Sequence, residues 1–285
     1  MKALVLGASG LLGQALIAEW RVDTIIAPSH ASADICHPEQ IAAIVGAHNP
    51  DWIVLAAAYT DVDGCESNRE LAFRTNAEAP VNVARIARDH NARLMLLSTD
   101  YVFDGRKSIP YETEDAYNPK SVYGQTKMEA EIGVQAVLPG ACIVRTSWVF
   151  GVGGKCFPDT ILKAAAARPE LAVVNDQRGS PTYTRDLARA IVNLCRIDAK
   201  GIVHAANAGD CTWFDFASAI VSRAGLRTSV RPTTSDQFVR PAPRPAYSVL
   251  SPLSLHRLGI TMPAWEDALG RYLLERSQPG LAGPG

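Results

Sequence analysis

The sequence predicts an α/β fold: a doubly wound parallel sheet with a smaller, mixed α/β lobe attached. Three observations predict it. Apolar runs of strand length alternate with stretches of helical period, a glycine-rich turn links the first run to the first helix, and the alternation loosens after residue 145. A parallel sheet covered on both faces needs strands that are apolar throughout, and these runs have that character. With 285 residues, 47% of them hydrophobic, the chain can bury one large core, or one core and a second lobe.

In chain order, residues 2–6 form an aliphatic run that stops at Gly7, and residues 11–20 follow with helical period. The run at 24–27 ends at Pro28, and Pro38 opens a helix over 38–45. Residues 52–56 are the third strand, and 70–90 is the longest helical stretch. Strands at 93–97 and 141–145 bracket a helix at 121–137. Helices at 160–167, 184–195 and 212–224 follow, with a short strand at 172–174 and the last at 202–205. The segment 227–252 contains R-P-A-P-R-P at 240–245; it is too broken by proline for a helix or central strand and reads as a long loop on the smaller lobe. Residues 277–285, rich in glycine and proline, are expected to fray.

A formal net charge of −1 and a pI near 6.6 supply no basic field for nucleic acid or an anionic membrane. Six scattered cysteines without a C-x-x-C predict reduced thiols in a cytoplasmic protein and no disulfide framework. The N-terminus runs straight into glycines without the apolar region of a signal peptide, and no apolar run is long enough to span a bilayer. Either a monomer or a homodimer fits this composition.

The turn G-A-S-G-L-L-G, residues 7–13, lies between a strand and a helix, where backbone amides and a helix N-terminus can hold a pyrophosphate. Gly7 would make the tight turn, Gly10 would admit the phosphates, and Gly13 would let helix and sheet pack closely. The fold is therefore expected to be Rossmann-type. Residues 1–148 would form a dinucleotide-binding domain completed by 172–208, with 149–171 and 209–285 forming a substrate-binding lobe. The second strand ends in A-P-S-H, with no carboxylate for an adenosine ribose before Asp34. That omission leans toward NADP over NAD, although no arginine stands there to grip a 2′-phosphate. His30 is either a solvated loop residue or a phosphate contact.

Tyr123 and Lys127, in S-V-Y-G-Q-T-K, stand at i and i+4 and share one helix face. A nearby ammonium stabilises a phenolate, so the pair makes an acid usable in proton transfer.

The glycine turn, S-T-D-Y-V-F-D-G at 98–105 and Y-x-x-x-K together resemble the extended short-chain dehydrogenases. A-A-A-Y-T-D-V-D-G-C-E at 56–66, R-T-S-W-V-F at 145–150, N-D-Q-R-G-S-P-T at 175–182 and R-P-A-Y-S-V-L at 244–250 narrow the resemblance to the dTDP-4-dehydrorhamnose reductase family. The resemblance implies transfer of hydride from NAD(P)H to carbon 4 of a nucleotide-linked 4-keto-6-deoxysugar. It implies Tyr123 as proton donor, Lys127 as partner of the nicotinamide ribose that lowers the tyrosine pKa, and Thr99 as the hydroxyl holding the keto oxygen, with Ser98 as the alternative. By the same resemblance Gly10, Leu11 and Leu12 hold the pyrophosphate, Asp34 and Ile35 meet the adenine, and Ala58, Tyr59 and Thr60 lie along the cofactor. Asp100 and Trp148 match substrate contacts, with a turn cap and plain core as their respective alternatives. Arg244 is a candidate for the substrate diphosphate.

Two departures bear on function. Tyr101 stands where related dehydratases carry a glutamate, which disfavours dehydration. Ala15 and Arg185 stand where some relatives hold a metal between subunits, so no metal is expected. Within the same superfamily, a regulatory subunit of methionine adenosyltransferase type and a nucleotide-sugar epimerase are the alternative functions.

Overall fold

The computed structural model describes residues 1–20 and 23–278. Most of the tail expected to fray lies outside them. Six strands, Lys2–Leu6, Thr24–Ile26, Trp52–Leu55, Arg93–Thr99, Cys142–Thr146 and Gly201–His204, form one parallel sheet. Across it they run sixth, fifth, fourth, third, first, second.

The pleat divides the apolar residues into two cores. Leu6, Leu55, Leu96, Ile143 and Ile202 fall in one cross-strand row. They face the helices Pro38–His48, Ala79–Asp89 and Val122–Val137. Val5, Val54, Met95 and Cys142 form the neighbouring row, on the opposite face. That face is closed by helices Leu11–Glu19 and Thr184–Arg196. Continuous apolar runs thus supply both cores at once, because alternate residues of a strand point to opposite faces. The second and third strands flank the first, so the chain leaves it in opposite directions and opens a crevice at the carboxyl ends of the strands.

The stretch expected as one helix over 70–90 is interrupted. Arg69–Phe73 and Ala79–Asp89 are α-helical, but Arg74–Glu78 between them widens into a π-helix, with the Ala79 amide donating to the Arg74 carbonyl. Pro80, just beyond, has no amide to continue the i to i−4 ladder, and the wider turn accommodates that loss.

The smaller lobe departs further from expectation. The short strand foreseen at 172–174 is longer, Glu170–Val174, and lies outside the main sheet. It pairs in parallel with Ser229–Thr233, inside the segment expected to be loop. Pro232 is tolerated because this is a two-stranded sheet, in which every strand has an open edge. The part of 172–208 that completes the main sheet and its cover is therefore confined to the helix Thr184–Arg196 and the strand Gly201–His204. Short pairings of Val149–Phe150 with Thr182–Tyr183 and of Arg178–Gly179 with Cys211–Thr212 tie the lobe together. Its core, with Phe150, Ile161, Phe216, Ile220, Leu269 and Tyr272, is closed by helices Phe157–Ala167, Trp213–Arg223 and Trp265–Arg276. The last of these helices was not foreseen. No helix among the described residues is long and apolar enough to cross a membrane.

Candidate active site

A cleft of about 1020 Å³ opens at the carboxyl ends of the strands and reaches from the glycine turn to the smaller lobe. Gly7 has φ +91°, a backbone conformation that L side chains rarely adopt, and a Cβ there would lie 2.6 Å from the Ala57 amide. At Gly13 a Cβ would meet the Gly7 carbonyl at 2.1 Å, so only glycine lets the first helix approach the turn. Around Gly10, by contrast, the nearest atom to such a Cβ is 3.4 Å away, and its amide donates to the Gly7 carbonyl at 3.1 Å. Gly10 caps the helix without any side-chain bond, leaving first-turn amides of Leu11–Glu19 directed at the cleft. These open amides at a nine-residue helix N-terminus fit a pyrophosphate. Gln14 Nε2 donates to the Ser9 carbonyl at 2.8 Å and to that of Gly153 at 3.0 Å, tying the turn to the smaller lobe.

Gly7, Gly10, Leu11, Leu12, Gly13, Asp34, Ile35, Ala58 and Thr60 line the cleft; Tyr59 does not. The Tyr59 backbone is instead clamped by the buried Asn76, which accepts from its amide at 2.7 Å and donates to its carbonyl at 2.9 Å. Asn76 lies in the π-helical turn, and only the local irregularity before Pro80 could have drawn attention to it. Asp34 turns one oxygen to the Cys36 amide at 2.9 Å, and its own amide donates to Gln40 at 3.0 Å.

The strand Arg93–Thr99 and the helix Val122–Val137 bring the chemical groups together. Ser121 caps this helix by accepting from the Gly124 amide at 3.1 Å. Gly124 lies so close to Tyr101 that a Cβ would fall 2.2 Å from the Tyr101 carbonyl; the close approach sets Tyr123 edge-on to Tyr101, with centroids 5.8 Å apart. Ser98 and Thr99 point oppositely, as strand neighbours must. Ser98 donates to Glu131 beneath the helix. Thr99 donates to Asp100 Oδ1 at 3.0 Å and stands by the Tyr123 hydroxyl. Ser98 and Thr99 both line the cleft, and of the two it is Thr99 whose hydroxyl is beside Tyr123.

Burial, followed by the charge of Asp100, pushes the Tyr123 phenol well above its usual range, while the Thr99 hydroxyl acts the other way. Lys127 is buried, donates to the Leu97 carbonyl at 2.6 Å, and is pushed down to about 8 by burial, with Glu131 opposing. Desolvation governs the phenol, and the ammonium is engaged with backbone. Asp100 is pushed up to about 6 by burial, against the opposing hydrogen bonds of Ser248 and Thr99. Its Oδ2 is buried without a hydrogen-bond partner among the described residues.

At the far end, Trp148 lines the cleft with φ +46°, its ring against Gly179, where a Cβ would come within 2.6 Å. Its indole stacks on Trp213, centroids 3.5 Å apart and planes 5° from parallel. Trp213 also lines the cleft and packs on Phe157 at 4.4 Å. It went unnoticed in the sequence, although the capping box of Thr212 and Asp215 that fixes it is a local signal. Arg244 is absent from the cleft lining. It is paired with Asp63 and donates to the Ala242 carbonyl at 2.6 Å, while Asp63 also accepts from the Ala242 amide at 3.1 Å. The cations on the lining are instead Arg74, Lys127 and Lys155, with His30 and His37.

The family model described as RmlD substrate binding domain matches residues 1–277. The chain is 39% identical over 278 residues to the spore coat polysaccharide biosynthesis protein SpsK of Bacillus subtilis, covering 97% of this chain and 98% of that one. It is 39% identical over 282 residues to the dTDP-4-dehydrorhamnose reductase of Mycobacterium tuberculosis, covering 95% of this chain and 92% of that one. Among solved structures it resembles the dTDP-4-dehydrorhamnose reductase of Bacillus anthracis in complex with NADP, at a TM-score of 0.94 and 36% identity, covering 96% of this chain and 99% of that one.

Proposed function

The chain belongs to the dTDP-4-dehydrorhamnose reductase family, and on that premise we propose that it reduces the 4-keto group of a dTDP-linked 6-deoxysugar, dTDP-4-dehydro-L-rhamnose first among them, with NADPH. One observation carries this reading: Thr99, Tyr123 and Lys127 converge in a single cleft that begins at the glycine turn and ends at the Trp148–Trp213 wall.

When bound, the dinucleotide supplies the hydride for the keto carbon. The protein's residues do the rest. First-turn amides behind Gly10 receive the pyrophosphate, and Lys155, on the same lining beside Gly154, offers a phosphate partner in place of Arg244. Arg74 and His30 line the end where the 2′-phosphate of NADP would lie, with no carboxylate between residues 27 and 33 to repel it. Thr99 would turn its hydroxyl from Asp100 to the keto oxygen when substrate is bound. Tyr123 is protonated at neutral pH, as any phenol is, and is the acid. As negative charge develops on the substrate oxygen, the phenolic proton moves to it, and Lys127 offsets the charge left on the tyrosine. Asp100, on the cleft lining next to Thr99, is the carboxyl nearest to where a sugar hydroxyl would lie. The six cysteines are all free thiols, in keeping with a cytoplasmic enzyme, acting as monomer or homodimer.

The test is to mix protein, NADPH and dTDP-4-dehydro-L-rhamnose and follow loss of nicotinamide absorbance, then repeat with NADH. Turnover that is faster with NADPH is expected. No turnover with any dTDP-linked keto-deoxysugar would overturn the reading.

A further inference from the structure

One face of the helix Val122–Val137 carries Tyr123, Lys127 and Glu131 at successive i+4 spacings. Glu131 does not touch the cleft, yet it is the most heavily bonded carboxylate in the core. Arg145 Nε donates to its two oxygens at 3.1 and 3.0 Å, Arg145 Nη2 adds a bond of 2.8 Å, Tyr117 donates at 2.9 Å, and Ser98 donates as well. Both members of this ion pair are fully buried. Ser98 and Arg145 are direct partners across the strands Arg93–Thr99 and Cys142–Thr146, so the sheet presents two donors to one carboxylate.

A buried ion pair is a poor way to stabilise a fold, because well-packed apolar residues of similar volume serve as well or better. The arrangement makes sense through its neighbour. Lys127 is buried, its ammonium reaching the Leu97 carbonyl, and the charge that opposes its desolvation is Glu131, one helical turn away. We propose that Glu131, anchored by Arg145 and Ser98, is a positioning residue that holds Lys127 in its charged form beneath Tyr123.

Several groups surround this axis. Tyr123 and Glu131 lie on the helix itself, while Leu97, Ser98, Thr99 and Asp100 come from the fourth strand and its end. Tyr101 packs on Tyr123, and Arg145 stands behind Glu131. Beyond Arg145 is His204, its Nε2 3.4 Å from Nη1, with Glu114 and Asp115 acting on that histidine from the neighbouring loop. Among the described residues, only the Glu131 carboxylate combines a negative charge with the helical spacing that faces Lys127. Arg145 fixes it there and satisfies its lone pairs.

The proposal rests on Tyr123 and Lys127 being the catalytic pair. It is tested in the full-length protein with Glu131→Gln, which keeps the volume and removes the charge. Two readouts are needed. In cofactor-free protein carrying isotope-labelled lysine, the NMR titration of Lys127 should move to lower pH by about one unit. In turnover, the alkaline limb of the kcat profile should move the same way, with kcat at neutral pH falling several-fold. Glu131→Asp keeps the charge one methylene farther from Lys127, so it should move both readouts part of the way; it carries the test alone if the glutamine variant does not fold. A Lys127 titration that stays in place in whichever variant folds overturns the proposal. A shifted titration in a protein that turns over no keto sugar leaves Glu131 in its role and removes the reductase reading instead.

Discussion

The two ends of the cleft are built on different principles. The glycine-turn end is backbone: helix amides and two glycines, Gly7 and Gly13, whose hydrogens are the limit of what fits. The end proposed for the sugar is side chain: Trp148 after the fifth strand, Trp213 at a helix start, Asp100 at the end of the fourth, and Ser248 from the proline-rich segment. The difference teaches that the first end needs only local sequence to exist. The second exists only when four distant segments have packed. Tyr123 stands at their junction.

The largest effect is expected at that junction. Tyr123→Phe keeps the ring packed on Tyr101 but deletes the proton donor. It should lower kcat by about 10³-fold and leave NADPH affinity, measured by fluorescence titration, unchanged; activity within a few-fold of the parent would remove Tyr123 from its role.

Gly13→Val should break the backbone end alone. The new Cβ meets the Gly7 carbonyl at 2.1 Å, a main-chain atom with no freedom to retreat. Loss of measurable NADPH binding is expected, with about 3 kcal/mol lost in denaturant unfolding. Retention of parent-like cofactor affinity would mean that the helix does not need its present contact with the turn.

Trp213→Ala should do the converse. Removing one indole of a stack at 3.5 Å sacrifices about 1 kcal/mol of aromatic contact. The KM for the sugar nucleotide should rise roughly five- to tenfold, with the NADPH dissociation constant unmoved. A variant whose cofactor affinity falls as much as its sugar affinity would abolish the distinction between the two ends.

The smallest effect concerns acid stability of the layer beneath both ends. Burial first, then the Arg145 charge, pushes His204 down to about 3. The unfolded imidazole titrates near 6.5, at about that value in any flexible chain. Its contribution is therefore present above the unfolded value and is lost as pH falls toward 3. Asp100, raised to about 6, works in the opposite direction: its contribution is present below the carboxyl's unfolded value of 3.8 and is lost as pH rises through 6. His204→Phe should flatten the fall in stability on acidification below neutrality, read by urea unfolding at a series of pH values. An unchanged slope would show that His204 does not share in acid unfolding.

The expected elements of the main sheet were legible because each strand is a bare aliphatic run, and a parallel strand has no other way to serve two cores. The interruption at Arg74–Glu78 was not, since Pro80 within a helical period predicts a fault without saying which kind. The helix Trp265–Arg276 escaped despite apolar residues at 265, 268, 269 and 272, because Gly270 dilutes the period. In the site, Tyr123, Lys127, Thr99 and the glycines announce themselves by spacing. Arg244 illustrates the opposite case: as a lone cation its partner is undetermined by sequence, and the fold gives it to Asp63.

The sequence by itself determined what depends on short range: where the chain must turn at Gly7, which strands are buried on both faces, and that Tyr123 and Lys127 share a helix face. Only the tertiary structure decided that Ser98 serves Glu131 while Thr99 faces Tyr123, that desolvation governs the phenol, and that Trp213 completes the wall begun by Trp148. The physical reason is that steric limits and helical periodicity act over a few residues. Desolvation, charge pairing and ring stacking depend on which atoms are brought within a few ångströms by the whole fold.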